Sequence, residues 1–288
     1  MKSVWLALAV SLSAAQGARA ARIAVDPGTL CEVSFSASVA KGPVVEDDPA
    51  LAELLPFSIG RPAKTGAKFA GVAWNFVDSS GRRIRHPHIS NDCVTLFSRS
   101  PRRFSFRAYA PENAVAVEVA PSVLTEGDSV KIESLTVSPV APGKILNQNS
   151  DFSADDCSLP GWKLSGSARF VCDAAGRRCA MLEDGGVFGD LFPVEAGKTL
   201  AVTLKAAPPR YATKKRIPWA AVHFYGSYAE GANKKQPFAR PKLTVHSATL
   251  SENTETYRIP ASAKWCRIVV RAGTAYRCEA RMLEGDRE

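Results

Sequence analysis

The sequence predicts an all-β protein built from two tandem antiparallel β-sandwich domains. Three observations carry this. Apolar residues recur in short alternating runs bounded by Gly, Pro, Asn and Asp, as in strands buried on one face. Long stretches of helical periodicity are missing. Three blocks of the first half also return, in the same order, in the second.

Taken from the start, Lys2, the apolar run Val4 to Ala15 and the small residues around Ala18-Arg19-Ala20 read as a cleavable leader over residues 1–20. The run is short for a bilayer, and no later stretch reaches the roughly 20 apolar residues a spanning helix needs. The expectation is therefore export: a secreted, periplasmic or cell-surface protein with no transmembrane segment after cleavage. The remaining residues suit two domains of about 130 each.

The first domain is assigned to 21–141. It opens with the alternating strand Cys31 to Ala37, and a long insertion at 38–70 follows. Within the insertion a short helix is expected at 47–55, with Asp48 as cap, Pro49 in the first turn and Pro56 as stop. Val72–Phe76, Val115–Val119 and Val130–Val137 supply further strands. Ala141-Pro-Gly143 marks the boundary, and the second domain is assigned to 142–288.

The repeat is read from three blocks. Val25 to Phe35 lies over Val194 to Leu204, each a strand end, a Gly turn and an alternating strand. Val72–Phe76 lies over Ala220–Phe224. Ala110–Val119 lies over Ile259–Ile268. The polar stretch Asn147 to Trp162 has no counterpart in the first copy, so it is read as the opening strand and lead-in loop of the second. A first copy shortened in this way exposes a sheet edge, to be covered by the 38–70 insertion or by the second domain.

Charge and cysteine content narrow the partners. There are 37 Lys+Arg against 28 Asp+Glu, a formal charge of +9, or +7 once Lys2 and Arg19 leave with the leader. This favours anionic partners such as acidic glycans or envelope polymers. The basic residues come as scattered pairs, with Lys214-Lys215-Arg216 the single triplet, so specific nucleic-acid binding is not expected and a plain solvated surface is the rival reading. All seven cysteines follow the leader, where disulfides are permitted. No Cys-x-x-Cys is present, and no His stands at ligand spacing from a Cys. Cys172 and Cys179 flank the turn-forming Asp-Ala-Ala-Gly-Arg-Arg, and Cys266 and Cys278 stand about the Ala272-Gly-Thr turn. Both are candidate bridges, with buried free thiols as the alternative; Cys31–Cys93 is a third, leaving Cys157 over.

These blocks resemble the carbohydrate-binding modules of the galactose-binding-like jelly-roll class. The resemblance rests on Asn147/Asn149 with Phe152, on Gly161-Trp162, on the hairpin Ala168–Cys172 and Cys179–Leu182, on Phe192-Pro-Val-Glu-Ala-Gly197, on Pro260 to Ile268 and on Ala275-Tyr276. It implies a jelly-roll sandwich and glycan binding without catalysis. It also implies a structural calcium between the start of the module and its last strand. Asp151 and Glu279 are the candidate ligands, although Cys278 replaces one acid of the usual pair and calcium wants six or more oxygens.

The ligand-binding candidates lie on Pro218 to Tyr225. Alternate residues of a strand share a face, so Ala220, Val222 and Phe224 form a core row while Trp219, Ala221, His223 and Tyr225 form the other. Aromatic faces stack on sugar rings, and imidazole serves their hydroxyls. Tyr211, Tyr228, Lys214, Lys215 and Arg216 add rings and positive charge in flanking loops. Trp74, Trp162 and Trp265 are assigned to the core or to loop anchoring. Motifs for nucleophilic, metal or phosphate chemistry are missing, and His86-Pro-His88 is read as a solvated loop. The expected function is a secreted, non-catalytic glycan-binding protein, possible for acidic polysaccharides; the alternative is a structural or adhesive envelope protein that uses its sandwiches for protein contacts.

Overall fold

The computed structural model describes residues 9–10, 20–44, 47, 70–84, 93–122, 126–141, 143–152, 161–183, 185–209, 217–233 and 236–283. The chain divides into two compact units, the first reaching Val140 and the second running from Ala141. Nearly all regular structure is antiparallel β, and each unit holds two sheets. Among the described residues no helix is long and apolar enough to cross a membrane. The helix expected at 47–55 lies outside the described residues, apart from a turn at Asp47.

Unit 1 contains β1 (Ala9–Val10), β2 (Ala21–Ala24), β3 (Leu30–Lys41), β4 (Gly71–Val77), β5 (Cys93–Thr95), β6 (Arg102–Tyr109), β7 (Ala116–Ser122) and β8 (Ser129–Pro139). One sheet has the order β1-β8-β3-β6 and the other β2-β7-β4-β5. Alternation places Phe35 of β3 against Phe104 and Phe106 of β6, with ring centroids 5.4 and 5.9 Å apart. Trp74 of β4 stacks on Phe106 from the opposite sheet at 5.7 Å, joining the two layers. β3 runs on to Lys41, past the expected start of the insertion, with register shifts after Ser36 and Val39.

Unit 2 contains β9 (Trp162–Ser165), β10 (Arg169–Cys172), β11 (Arg178–Met181), β12 (Gly186–Gly189), β13 (Phe192–Pro193), β14 (Thr199–Ala207), β15 (Trp219–Tyr225), α1 (Tyr228–Ala232), β16 (Lys242–Thr244), β17 (Ser251–Arg258), β18 (Trp265–Arg271) and β19 (Thr274–Leu283). Its sheets are β10-β11-β19-β14-β17 and β16-β15-β18-β12-β9, with β13 also on β18.

The repeat is visible in the strand orders. β8-β3-β6 matches β19-β14-β17, and β2-β7-β4-β5 matches β13-β18-β15-β16. The surplus strands of unit 2 are the pairs β9/β12 and β10/β11. Where unit 2 sets β11 on β19, unit 1 sets Ala9–Val10 on β8, opposite Thr136 and Leu135. The outer edge of β8 is thus met by Ala9–Val10, two residues of the stretch that the sequence reading expects to be cleaved.

The opening stretch of unit 2 is a clasp. Asn147 is buried; its Nδ2 donates to Cys278 O and its Oδ1 accepts from Ala280 N, each at 2.7 Å. Leu146 N donates to Ala280 O and Cys278 N to Ser150 O. The chain then turns through Asn149 and Phe152 with positive φ, 47° and 56°, a conformation rare for an aromatic. The Phe152 ring is buried against Trp162 of β9 and Phe170 of β10, at 5.2 and 5.7 Å, and so plugs the space between the two sheets.

The three expected disulfides do not form. Cys31, Cys172, Cys179, Cys266 and Cys278 are all free thiols. In the β10/β11 register Cys179 stands opposite Val171 and Cys172 opposite Arg178, so the two cysteines take opposite faces of the hairpin. Cys266 and Cys278 were expected on paired strands, but β18 and β19 belong to different sheets. Cys31 lies on β3 and Cys93 on β5, again in different sheets. Burial raises the thiol pKa of Cys31, Cys266 and Cys278, and that of Cys179 to about 11.

Candidate functional site

β15 is the strand that sequence reasoning singled out, and its two faces divide as expected. Ala220, Val222 and Phe224 are at most 1% exposed and face the sandwich interior. Trp219, Ala221, His223 and Tyr225 face outward. Register with β18 sets Trp219 opposite Arg271, Ala221 opposite Val269, His223 opposite Arg267 and Tyr225 opposite Trp265.

The outer row changes character along its length. At the Tyr225 end it is roofed by α1, which starts at Ser227, whose side chain accepts from Glu230 N. Tyr228 stands edge-on to Trp265 at 5.1 Å, and Tyr225, Tyr228 and Trp265 are all buried. Tyr225 and Tyr228 were expected as ligand contacts; Tyr225 lies buried beneath the helix and Tyr228, its first residue, is buried against Trp265, so neither offers a ring to a ligand. Arg267, also under α1, donates from Nη2 to Gly231 O at 3.0 Å and sets its guanidinium over Tyr225. Its buried Nε has no hydrogen-bond partner among the described residues.

His223 sits at the border, partly exposed, with Nδ1 3.4 Å from the Tyr225 hydroxyl. Burial, then the charges of Arg267, Arg240 and Arg271, hold its pKa down at about 4. It is a neutral imidazole at physiological pH, able both to donate and to accept.

The Trp219 end is open. Trp219 and Phe188 are partly exposed, and Lys242, Arg271 and Lys163 are exposed. Lys242 Nζ lies 4.8 Å from the Trp219 ring centre, and the Arg271 guanidinium lies 5.5 Å from that of Phe188. Phe188 stands opposite Val269 on one side and Lys163 on the other. Phe188, Arg271, Lys242 and Lys163 were missed by sequence reasoning. No motif marks them; they come together only through register across four strands.

The matching face of unit 1 is built differently. Glu118 of β7 occupies the place of Arg267 in the repeat alignment, and Arg22 and Arg83 both pair with it, at 2.7 and 3.1 Å. Burial opposes its charge, but the two guanidinium groups outweigh burial and lower its pKa. Both arginines of this face have a carboxylate partner, whereas Lys242 and Arg271 of the unit 2 face lean over aromatic rings.

Several expected residues lie elsewhere. Tyr211, Lys214, Lys215, Arg216, His86 and His88 lie outside the described residues, as does Cys157. Trp74, Trp162 and Trp265 are core residues, each at most 2% exposed. Asp151 is exposed, and the buried Glu279 accepts from Arg281 at 2.8 Å and pairs with Arg277. Two guanidinium groups thus hold the Glu279 carboxylate in place. Among the described residues no group of three or more His, Cys, Asp or Glu is arranged to hold a metal.

No protein-family model matches the sequence, and no curated protein matches it significantly. Among solved structures, the tandem CBM22-1–CBM22-2 domain of Paenibacillus barcinonensis Xyn10C aligns with 9% identity and a TM-score of 0.31, over 96% of this chain and 91% of that one. The tandem CBM51 modules of a family 98 glycoside hydrolase from Streptococcus pneumoniae align with 10% identity and a TM-score of 0.21, over 96% and 82%. The ANX2 ectodomain of Arabidopsis thaliana aligns with 7% identity and a TM-score of 0.25, over 97% and 89%. The structural neighbours thus include tandem carbohydrate-binding β-sandwich modules; at these scores the fold rests on the sheets described above.

Proposed function

We propose that this chain is an exported, non-catalytic glycan-binding protein that presents the outer face of β16-β15-β18-β12-β9 to acidic polysaccharides. The observation that carries the reading is Trp219. It is a partly exposed indole on an open sheet face, with Lys242 over its ring and Arg271 directly across. An aromatic plane suits the C–H face of a pyranose, neutral His223 suits its hydroxyls, and the cations suit carboxylate or sulfate. Binding of this kind needs no covalent step.

The test is a glycan array, repeated with Trp219→Ala. Retention of acidic glycans by the parent and their loss in the variant supports the reading. Absence of glycan binding by the parent overturns it.

One observation favours a second reading, an adhesive envelope protein. Among the described residues β8 meets only Ala9–Val10 at its outer edge, so leader cleavage leaves a strand able to pair with another chain. Cross-linking of the mature protein in its native envelope separates the two.

A further inference from the structure

Across the open end of the unit 2 face, side chains alternate strand by strand. β9 contributes Lys163, β12 Phe188, β18 Arg271, β15 Trp219 and β16 Lys242. The order is cation, ring, cation, ring, cation. All five lie within neighbouring two-residue steps along the strands, as the pairings Lys163–Phe188, Phe188–Val269, Arg271–Trp219 and Ala221–Lys242 require. The floor between them is small and closed, with Ala221 and Val269 at 1% and 2% exposure.

Neighbouring strands are about 4.8 Å apart, so ring follows ring, and cation follows cation, at about 10 Å. Two of the cations, Lys242 and Arg271, are available. Arg22, Arg83, Arg107, Arg177, Arg277 and Arg281 all have carboxylate partners. Among the described residues Lys242 and Arg271 have none; each leans over an aromatic ring instead.

From this alternation we infer that the face reads a period of two in its ligand: a polysaccharide with an acidic group on every second sugar, lying across the strands. The inference rests on the glycan-binding reading and gives it a substrate class. Sugars stacked on Trp219 and Phe188 are separated by one sugar, and the acidic groups fall beside Lys242, Arg271 and Lys163. A polymer with an acid on every sugar sets half its charges over the rings, where desolvation is not repaid. A neutral polymer leaves the cations without partners. Single-stranded nucleic acid also offers rings and charge, but its phosphates recur at every unit rather than every second one.

The test uses the full chain and four probes in titration calorimetry: hyaluronan oligosaccharides, with a carboxylate on alternate sugars; oligogalacturonate, with one on every sugar; cellohexaose; and oligothymidylate. Hyaluronan is expected to bind about tenfold tighter than each of the others. Arg271→Ala and Lys242→Ala are each expected to lower hyaluronan affinity at least fivefold with melting temperature unchanged, and Lys242→Arg to retain it. Equal binding of hyaluronan and oligogalacturonate, both lost in Trp219→Ala, overturns the period-of-two inference and leaves the glycan reading standing. Binding of neither overturns both, and tighter binding of oligothymidylate overturns both in favour of nucleic acid.

Discussion

Replacing Asn147 by alanine tests whether the clasp closes the second unit. Its side chain makes two buried hydrogen bonds of 2.7 Å to backbone groups of β19, one as donor and one as acceptor. Alanine strands both the Cys278 carbonyl and the Ala280 amide away from water. An unmet buried polar group costs about 1–3 kcal/mol, so the pair costs about 2–5 kcal/mol. This is a large share of the 5–15 kcal/mol that holds a typical domain. At roughly 2–4 °C per kcal/mol, melting falls by about 5–15 °C. The backbone bonds Leu146 N to Ala280 O and Cys278 N to Ser150 O remain, so the variant still folds. Scanning calorimetry of the full chain measures the effect, with Asn147→Asp as the companion variant. The carboxylate keeps the bond from Ala280 N but faces the Cys278 carbonyl, so its cost eases as pH falls through the carboxylate range. An Asn147→Ala variant within about 0.5 kcal/mol of the parent refutes the reasoning.

Three further outcomes are expected. His223 has a folded pKa of about 4, below its unfolded value, so between pH 6.5 and 4 the unfolded chain binds more protons and stability falls with pH, by on the order of 2–3 kcal/mol; His223→Gln flattens this slope, and an NMR titration midpoint near 6.5 in the folded protein contradicts it. Gly185→Ala drives a Cβ into Ser165 O and to within 2.5 Å of Ala168 N, and since both obstacles are backbone the unit loses about 3 kcal/mol in urea denaturation; a loss under 1 kcal/mol means the turn yields. Among the five described thiols, native-state alkylation marks the exposed Cys172 and spares Cys31, Cys179, Cys266 and Cys278 until denaturant is added. A Cys266–Cys278 or Cys172–Cys179 cross-link in a peptide map of mature protein contradicts the free-thiol arrangement.

The alternation along β15 was legible because a strand's two faces follow from a period of two. Its core row and outward row both came from sequence alone. Burial of Tyr225 and Tyr228 was not legible, because the roof is α1, five residues long and nucleated by the Ser227 cap rather than by any apolar period. The bridge expected between Cys266 and Cys278 failed for a topological reason. Two strands joined by the short turn Ala272-Gly-Thr read as a hairpin, yet here the turn carries the chain from one sheet to the other. Ala272 takes a positive φ of 62° at that crossing, a conformation alanine rarely adopts. One signal was present and overlooked: Asp78-Ser-Ser-Gly-Arg-Arg83 and Asp173-Ala-Ala-Gly-Arg-Arg178 share one pattern. In both the Asp carboxylate accepts from two backbone amides and an arginine of the same turn. The ladder of Lys163, Phe188, Arg271, Trp219 and Lys242 draws on five strands spread between positions 163 and 271, so nothing local in the chain announces it.

In each unit the latest strand to be made is laid beside the earliest long one, β8 on β3 and β19 on β14, and β19 is also wedged against β11. A chain made amino end first therefore delivers Leu200, Val202 and Leu204 long before the strand that pairs beside them. The second unit must wait as an open, sticky chain until β19 emerges, and then close in a single slow step. Until then the unpaired edge of β14 is where another chain can pair in its stead.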